Sequence, residues 1–303
     1  MIIKNFKLLA ITKNKKLALS IIEKSVSDSL PNTSLEKNVK HDFLKIGRKK
    51  ISFERYGHIY LIAIGKSADL MARTVDSLTR VHGGIVVIPD KTVSLIRKKK
   101  FTLIRSNHPI PTAKSVNAAK KIIEFLELLE ETDLVIFLIS GGASSLVSLP
   151  DGISLQDKQL VSRLLLRSGA NIREINCVRK HLSKVKGGRL LGSLRCDAVS
   201  LVMSDVVGDD LSVIASGLTY CDNSTFYDAK KVLLKYNLKN LIPKAVWARV
   251  ILGTKGMISE TPKKPTIQNY VIQTNRDCVD LMKTHAQKLG FATKAIYSLE
   301  LDF

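Results

Sequence analysis

Residues 133–140 read DLVIFLIS, an unbroken apolar run closed by a serine and followed by two glycines. A run with no polar position on either face must be covered on both faces, as in the interior of a parallel sheet. Working outward, IYLIAIG (59–65), GIVVIP (84–89) and AVSLVMSDV (198–206) have the same character, and FTLI (101–104) reads as a further strand. Between these runs the apolar period lengthens. Val116, Ala119, Ile122, Ile123, Leu126 and Leu129 share one helical face, and helical stretches are expected at 66–80, 154–168, 171–183 and 226–236. Near the start, Leu17, Ile21, Ile22, Val26 and Leu30 mark an amphipathic helix that Pro31 is expected to end. Strands alternating with helices in this way predict an α/β fold, a doubly wound and mostly parallel sheet.

The stretch 254–268, rich in Gly, Pro and polar residues, is expected to be a linker after a first domain at 1–253. Residues 269–303 then offer a strand (NYVIQT), a helix ending at Gly290, a strand (TKAIYS) and the closing LELDF. Three elements make too small a core to stand alone. They are expected either to pack on the first domain or to be the remnant, at 269–303, of a second α/β domain that is otherwise missing.

The chain has 303 residues, 45% of them hydrophobic and only 6% aromatic, so Ile, Leu and Val must supply the core. Charges interrupt every apolar run before it reaches the length of a membrane span. The opening MIIKNFKLLAITKNKK is broken by Lys4 and Lys7 and lacks the form of a signal peptide. Cys177, Cys196, Cys221 and Cys278 form no CxxC pair, which fits a reducing cytoplasm. The net charge of +21 favours anionic partners. It is spread along the chain, and the densest run, 97–100, has no interleaved aromatics, which argues against nucleic acid.

In open α/β sheets ligands sit beyond the carboxyl ends of the strands. The first such loop here is Gly65-Lys66-Ser67-Ala68, with Lys66 beside a helix N-terminus. It is not a Walker A sequence, because position 60 is Tyr60 rather than glycine. The second is Ser140-Gly141-Gly142-Ala143-Ser144-Ser145, where glycines admit a phosphate closely and serines donate to it, or where a tight turn simply wants both residue types. Position 146 is Leu146, so this is no nucleophile elbow. The third loop holds Ser204, Asp205, Gly208, Asp209 and Asp210, acidic residues suited to Mg²⁺, to general-base work or to helix capping. Finally, NCVRKHLSKVKGGR (176–189) carries Arg179, Lys180, His181, Lys184, Lys186 and Arg189, either an anion clamp or a charged helix face.

Taken together, IAIGKSADLMA, NHPIPT, ISGGASSLVSLP, DGISLQDKQL, SGANIREINCVRKHLSKVKGGRLL, LVMSDVVGDDLSVIASG and CDNSTFYDA resemble, in order, the motifs of the glycerate 2-kinase family. The resemblance runs from about Leu17 to Tyr297. It implies a Rossmann-like domain and phosphorylation of D-glycerate to 2-phosphoglycerate with ATP and Mg²⁺. It also implies a second domain known by its MOFRL motif, with the active site between the two. Carried over, it makes Lys66 and one of Asp205 and Asp209 catalytic, the aspartate binding Mg²⁺ or taking the hydroxyl proton. Read from their residue types, Ser140, Gly141, Gly142, Ser144 and Ser145 are expected to hold nucleotide phosphates, and Arg179, Lys180 and Lys186 substrate.

The chain departs from the family's usual pattern at Thr112, at Ala143-Ser144 and at Leu218. After SLE the family continues with a glycine-rich segment that contributes an arginine, and this segment is absent. A truncated enzyme is therefore expected, completed by a separately encoded MOFRL chain or by a homodimer partner. The alternative expectation is a non-catalytic α/β binding protein that retains the phosphate cleft.

Overall fold

The computed structural model describes residues 2–97 and 99–297. Its centre is the run that opened the sequence reading, Leu134–Ile139, buried along its whole length. In chain order the strands are β1 (Phe43–Ile46), β2 (Lys49–Ser52), β3 (Ile59–Ile64), β4 (Gly83–Pro89), β5 (Phe101–Ser106), β6 (Leu134–Ile139), β7 (Asp197–Met203) and β8 (Gln268–Gln273). The first two form a small antiparallel hairpin. The other six form one sheet, all parallel, in the order β5-β4-β3-β6-β7-β8. Counting only these six, the sheet grows outward from its first strand to one side and then reverses to the other. The reversal lies between β3 and β6, and it opens a crevice outside their carboxyl ends.

The helices are α1 (Phe6–Leu9), α2 (Lys13–Asp28), α3 (Pro31–Asn38), α4 (Ala68–Leu78), α5 (Ala113–Glu127), α6 (Ala143–Leu146), α7 (Leu155–Arg167), α8 (Ile172–His181), α9 (Phe226–Lys235), α10 (Lys244–Thr254) and α11 (Asn275–Lys288). Alternate strand residues point to opposite faces. Ile62, Ile64, Val87, Val135 and Phe137 therefore pack with Ala118, Ile122 and Leu126 of α5 on one face. Leu61, Ala63, Val86, Ile136 and Leu138 pack with Met71, Ala72 and Val75 of α4 on the other. A third apolar cluster joins α7, α8, α9 and α10, through Val161, Leu165, Val178, Leu233, Val246 and Val250. These four helices are inserted after β6 and β7, so they stand near the carboxyl ends of the strands.

Two local expectations are corrected. Pro31 follows the end of α2 but begins α3, at the first helical position, where a missing N–H costs nothing. The strand expected at TKAIYS is absent among the described residues. Its described part, 293–297, lies along α11, with the Arg276 guanidinium 4.4 Å over the Tyr297 ring and the Tyr297 hydroxyl donating to Asp280; Ser298 lies outside the described residues. Apolar alternation makes no strand without a neighbour to complete its ladder. LELDF lies outside the described residues.

Beyond the irregular stretch that follows α10, β8 pairs in parallel with β7, from Val199↔Gln268 to Met203↔Gln273. The following helix α11 reaches α2, where His285 Nε2 lies 3.0 Å from Asp28. Gln268–Gln273 is thus the outermost strand of the main sheet on the β7 side.

Candidate active site

The crevice at the sheet's reversal is built from three strand-end loops. After β3, the Lys66 N–H donates to the Gly141 carbonyl at 2.9 Å, and the Ser67 N–H donates to the Ser140 hydroxyl at 3.1 Å. These bonds lock the first loop onto the second. The second loop turns through Gly142, whose φ of 88° is left-handed and caps α6. A side chain is excluded here for spatial reasons too. A Cβ at 142 would lie 2.8 Å from the His108 ring, and one at 141 would strike the Asp205 carboxylate. The glycine pair is therefore where Lys66, His108 and Asp205 close on one another. Lys66 and Asp205 are exposed and line a cavity of about 260 Å³ with Ser140, Gly141, Asn275 and Cys278. Partial desolvation of its otherwise exposed ring, then the nearby Lys66 ammonium, shift the His108 imidazole below the ordinary histidine pKa.

On the other side of Gly142 lies a larger cavity, about 600 Å³. Its floor is cationic. Lys186 is fully buried and donates from Nζ to the Ser144 carbonyl and hydroxyl, at 2.7 and 2.8 Å. The Ser144 and Ser216 hydroxyls lie 2.8 Å apart, and Ser216 in turn donates to Asn176 at 2.9 Å. Ser216 and its neighbour Ala215 have left-handed backbone, φ of 56° and 52°, a strained pair held by this network. Lys158 is also buried, with its Nζ 3.1 Å from the Ser148 hydroxyl. Burial foremost, then Arg179, depress its pKa to about 7. Burial likewise drives Lys186 well below the normal lysine range. Arg179 joins them on the cavity wall, its Nε donating to Ser162 at 3.2 Å.

The residues expected from sequence divide accordingly. Lys66, Gly141, Gly142 and Asp205 come together. Ser140, Ser144 and Ser145 are nearby, but their hydroxyls bond within the protein, to Ser67, to Lys186 and Ser216, and to Gly142 respectively. Ser140 only accepts in its bond, so its own hydroxyl proton is open to a ligand beside the glycine backbone. Asp209 does not line either cavity. It sits in a left-handed turn at φ 51°. Arg179 and Lys186 line the larger cavity, whereas Lys180 does not. The Lys180 ammonium is buried against Asp222 at 3.1 Å, and Asp222 also accepts from Ser224 and Thr261.

Sequence reading missed Lys158 and His108. Lys158 had a signal. With Val161 and Leu165 it occupies the inward stripe of α7, positions i, i+3 and i+7, where a lysine is out of place unless something anionic meets it.

For Mg²⁺, no group of three His, Cys, Asp or Glu side chains is placed to hold a metal among the described residues. A single carboxylate such as Asp205 fits a Mg²⁺ held mainly by substrate phosphates and water. No helix among the described residues is long and apolar enough to cross a membrane.

Comparison with known proteins adds to this geometry. A family model described as a domain of unknown function, DUF4147, matches residues 17–250. The chain is 39% identical over 280 residues to a glycerate 2-kinase of Pyrococcus horikoshii, covering 91% of this chain and 63% of that one. It is 35% identical over 288 residues to a D-glycerate 2-kinase of Thermotoga maritima, covering 93% and 64%. A crystal structure of a Pyrococcus horikoshii protein superposes with a TM-score of 0.81, at 37% identity over 92% of this chain and 64% of that one. The crystal structure of the Thermotoga maritima glycerate kinase superposes at 0.77, with 34% identity, over 92% and 63%. The chain thus spans just under two thirds of the length of these relatives.

Proposed function

Because the chain belongs to the glycerate 2-kinase family, whose DUF4147 model covers residues 17–250, we propose that it takes part in ATP-dependent phosphorylation of D-glycerate at the 2-hydroxyl. The observation that carries this reading is the meeting of Lys66, His108 and Asp205 around Gly141 and Gly142, at the sheet's reversal. In the reaction the 2-hydroxyl oxygen attacks the γ-phosphorus. The bond from that phosphorus to the bridging oxygen breaks, ADP leaves, and the hydroxyl proton passes to the Asp205 carboxylate. Lys66 offsets charge on the transferring phosphoryl group, and His108, neutral beside it, hydrogen-bonds without adding charge. Such transfer rests mainly on positioning and electrostatic stabilisation. Mg²⁺ bound to the phosphates would lie on the Asp205 side and neutralise charge between them.

Lys66 and Asp205 are exposed, so their fields are weakened by water until something covers them. We assign that cover to a domain like the remaining third of the longer relatives. A coupled assay of ATP consumption with D-glycerate tests the proposal. Turnover is expected to rise when the carboxy-terminal third of the Thermotoga relative is added, and to fall at least about a hundredfold with Lys66→Ala, as for loss of one preorganised donor. Turnover that is indifferent to Lys66→Ala would refute the assignment. No turnover and no glycerate binding, even with the added domain, would favour a non-catalytic binding protein.

A further inference from the structure

We propose that the two cavities divide the substrates: the larger one, floored by Lys158, Arg179 and Lys186, holds the polyphosphate of the nucleotide, and the smaller one beside Lys66 and Asp205 holds glycerate. This rests on the kinase reading above and specifies which anion goes where. The larger cavity is lined by four cationic side chains, Lys158, Arg163, Arg179 and Lys186. Among its described lining residues there is no carboxylate. Asp151, the acid that acts on Lys158, is itself paired with Arg249 and Arg189.

Buried cations without counter-ions are costly and persist where an anion completes them. Two arginines, with two buried lysines that hold their protons more tightly once an anion enters, match a triphosphate far better than they match a single carboxylate. Size and polarity agree. About 600 Å³ is the scale of a pocket for a nucleotide-sized ligand. The rim presents Ile110 and Leu166, 62% and 60% exposed, an apolar surface suited to a base. Glycerate, with three carbons and one carboxylate, suits the cavity of about 260 Å³, whose polar lining includes Asp205, the one acid among the described lining residues of the two cavities. Gly141 lines the smaller cavity and its neighbour Gly142 the larger, so the two cavities meet where Lys66, His108 and Asp205 converge.

Titration calorimetry on the full 303-residue chain tests this with three probes: inorganic tripolyphosphate, ATP and D-glycerate. A chain of net charge +21 attracts any polyanion, so the readout is the difference between variants of equal charge. Lys158→Met is compared with Lys120→Met, an exposed lysine on α5. Lys158→Met is expected to weaken tripolyphosphate and ATP at least about tenfold and to leave D-glycerate unchanged. Lys120→Met is expected to change none of the three. Arg179→Met, at a half-buried position, repeats the test should Lys158→Met not fold. Failure of the unaltered chain to bind tripolyphosphate at millimolar concentration overturns the assignment. So does equal binding by the Lys158 and Lys120 variants, or a loss confined to D-glycerate. Loss of tripolyphosphate binding in a chain that never turns over glycerate supports the cavity assignment and rejects the kinase reading, so the two failures are distinguishable.

Discussion

Replacing Lys158 with methionine should stabilise the chain near neutral pH, and the gain should vanish as the pH rises. Its ammonium sits on the inward stripe of α7, wholly buried, with Arg179 of α8 and Lys186 facing it, and with Asp151 as the attractive charge. Its pKa falls from 10.5 to about 7 on folding. At about 1.36 kcal/mol per tenfold in proton affinity, that is a cost of roughly 4 kcal/mol at pH 7. The sign follows from linkage. Between pH 7 and 10.5 the unfolded chain holds the Lys158 proton more tightly than the native chain does. Native stability therefore rises with pH through this window, by up to about 1.4 kcal/mol per pH unit from this group. Below pH 7 the penalty is complete, and above 10.5 it is gone.

Methionine has nearly the same length and no charge, so the variant escapes the penalty. It loses the hydrogen bond to Ser148, worth about 1 kcal/mol. A net gain of about 3 kcal/mol is expected at pH 7, shrinking towards zero or slightly below it by pH 10.5. Guanidinium unfolding of both chains, followed by circular dichroism at pH 7, 8, 9 and 10, measures the gap directly. A gap that does not change with pH, or a methionine variant less stable than the parent at pH 7, would refute the reasoning.

Two other substitutions separate near neighbours. Asp205→Asn should reduce glycerate turnover by at least about a hundredfold in the domain-supplemented assay, whereas Asp209→Asn, outside both cavities, should change it less than about fivefold; equal losses would return Asp209 to the site. Lys180→Met should lower stability by up to about 3–5 kcal/mol, because it leaves the buried Asp222 carboxylate without its counter-charge, held only by Ser224 and Thr261; denaturant midpoints measure this, and an unchanged midpoint would show that the pair is dispensable.

The sheet was legible because its strands are continuous apolar runs, and the ends of those runs locate Lys66, Gly141, Gly142 and Asp205. What the runs do not carry is the rotation of each helix and the path of each loop. Arg179 and Lys180 are adjacent in sequence, yet one faces the larger cavity and the other faces Asp222, some forty residues further on. Lys184 and Lys186 flank Val185 with one exposed and one fully buried, an alternation that a count of positive charges conceals. Asp205 and Asp209 share one acidic loop, and only the turn at Gly208 and Asp209 decides which carboxylate stays beside Gly141. Lys158 was hidden by its chemistry, since a lysine counts as surface in any pattern search. The sequence expectation for TKAIYS failed for the opposite reason, because its apolar residues suggested burial where the fold supplies no partner.

The position of β8 has a consequence for how the chain matures. Its ladder partner β7 ends at Met203, well before β8 begins at Gln268. At about 5–20 residues per second, translation of the intervening chain takes several seconds. Throughout that interval the outer edge of β7, carrying Val199, Leu201 and Val202, offers unpaired backbone donors and acceptors. The helical layer of α9 and α10 is made within this interval, before β8 arrives. The nascent protein therefore passes through a stage in which most of its core is available but one flank remains adhesive, and occupation of that flank by Gln268–Gln273 is what ends its exposure to other chains.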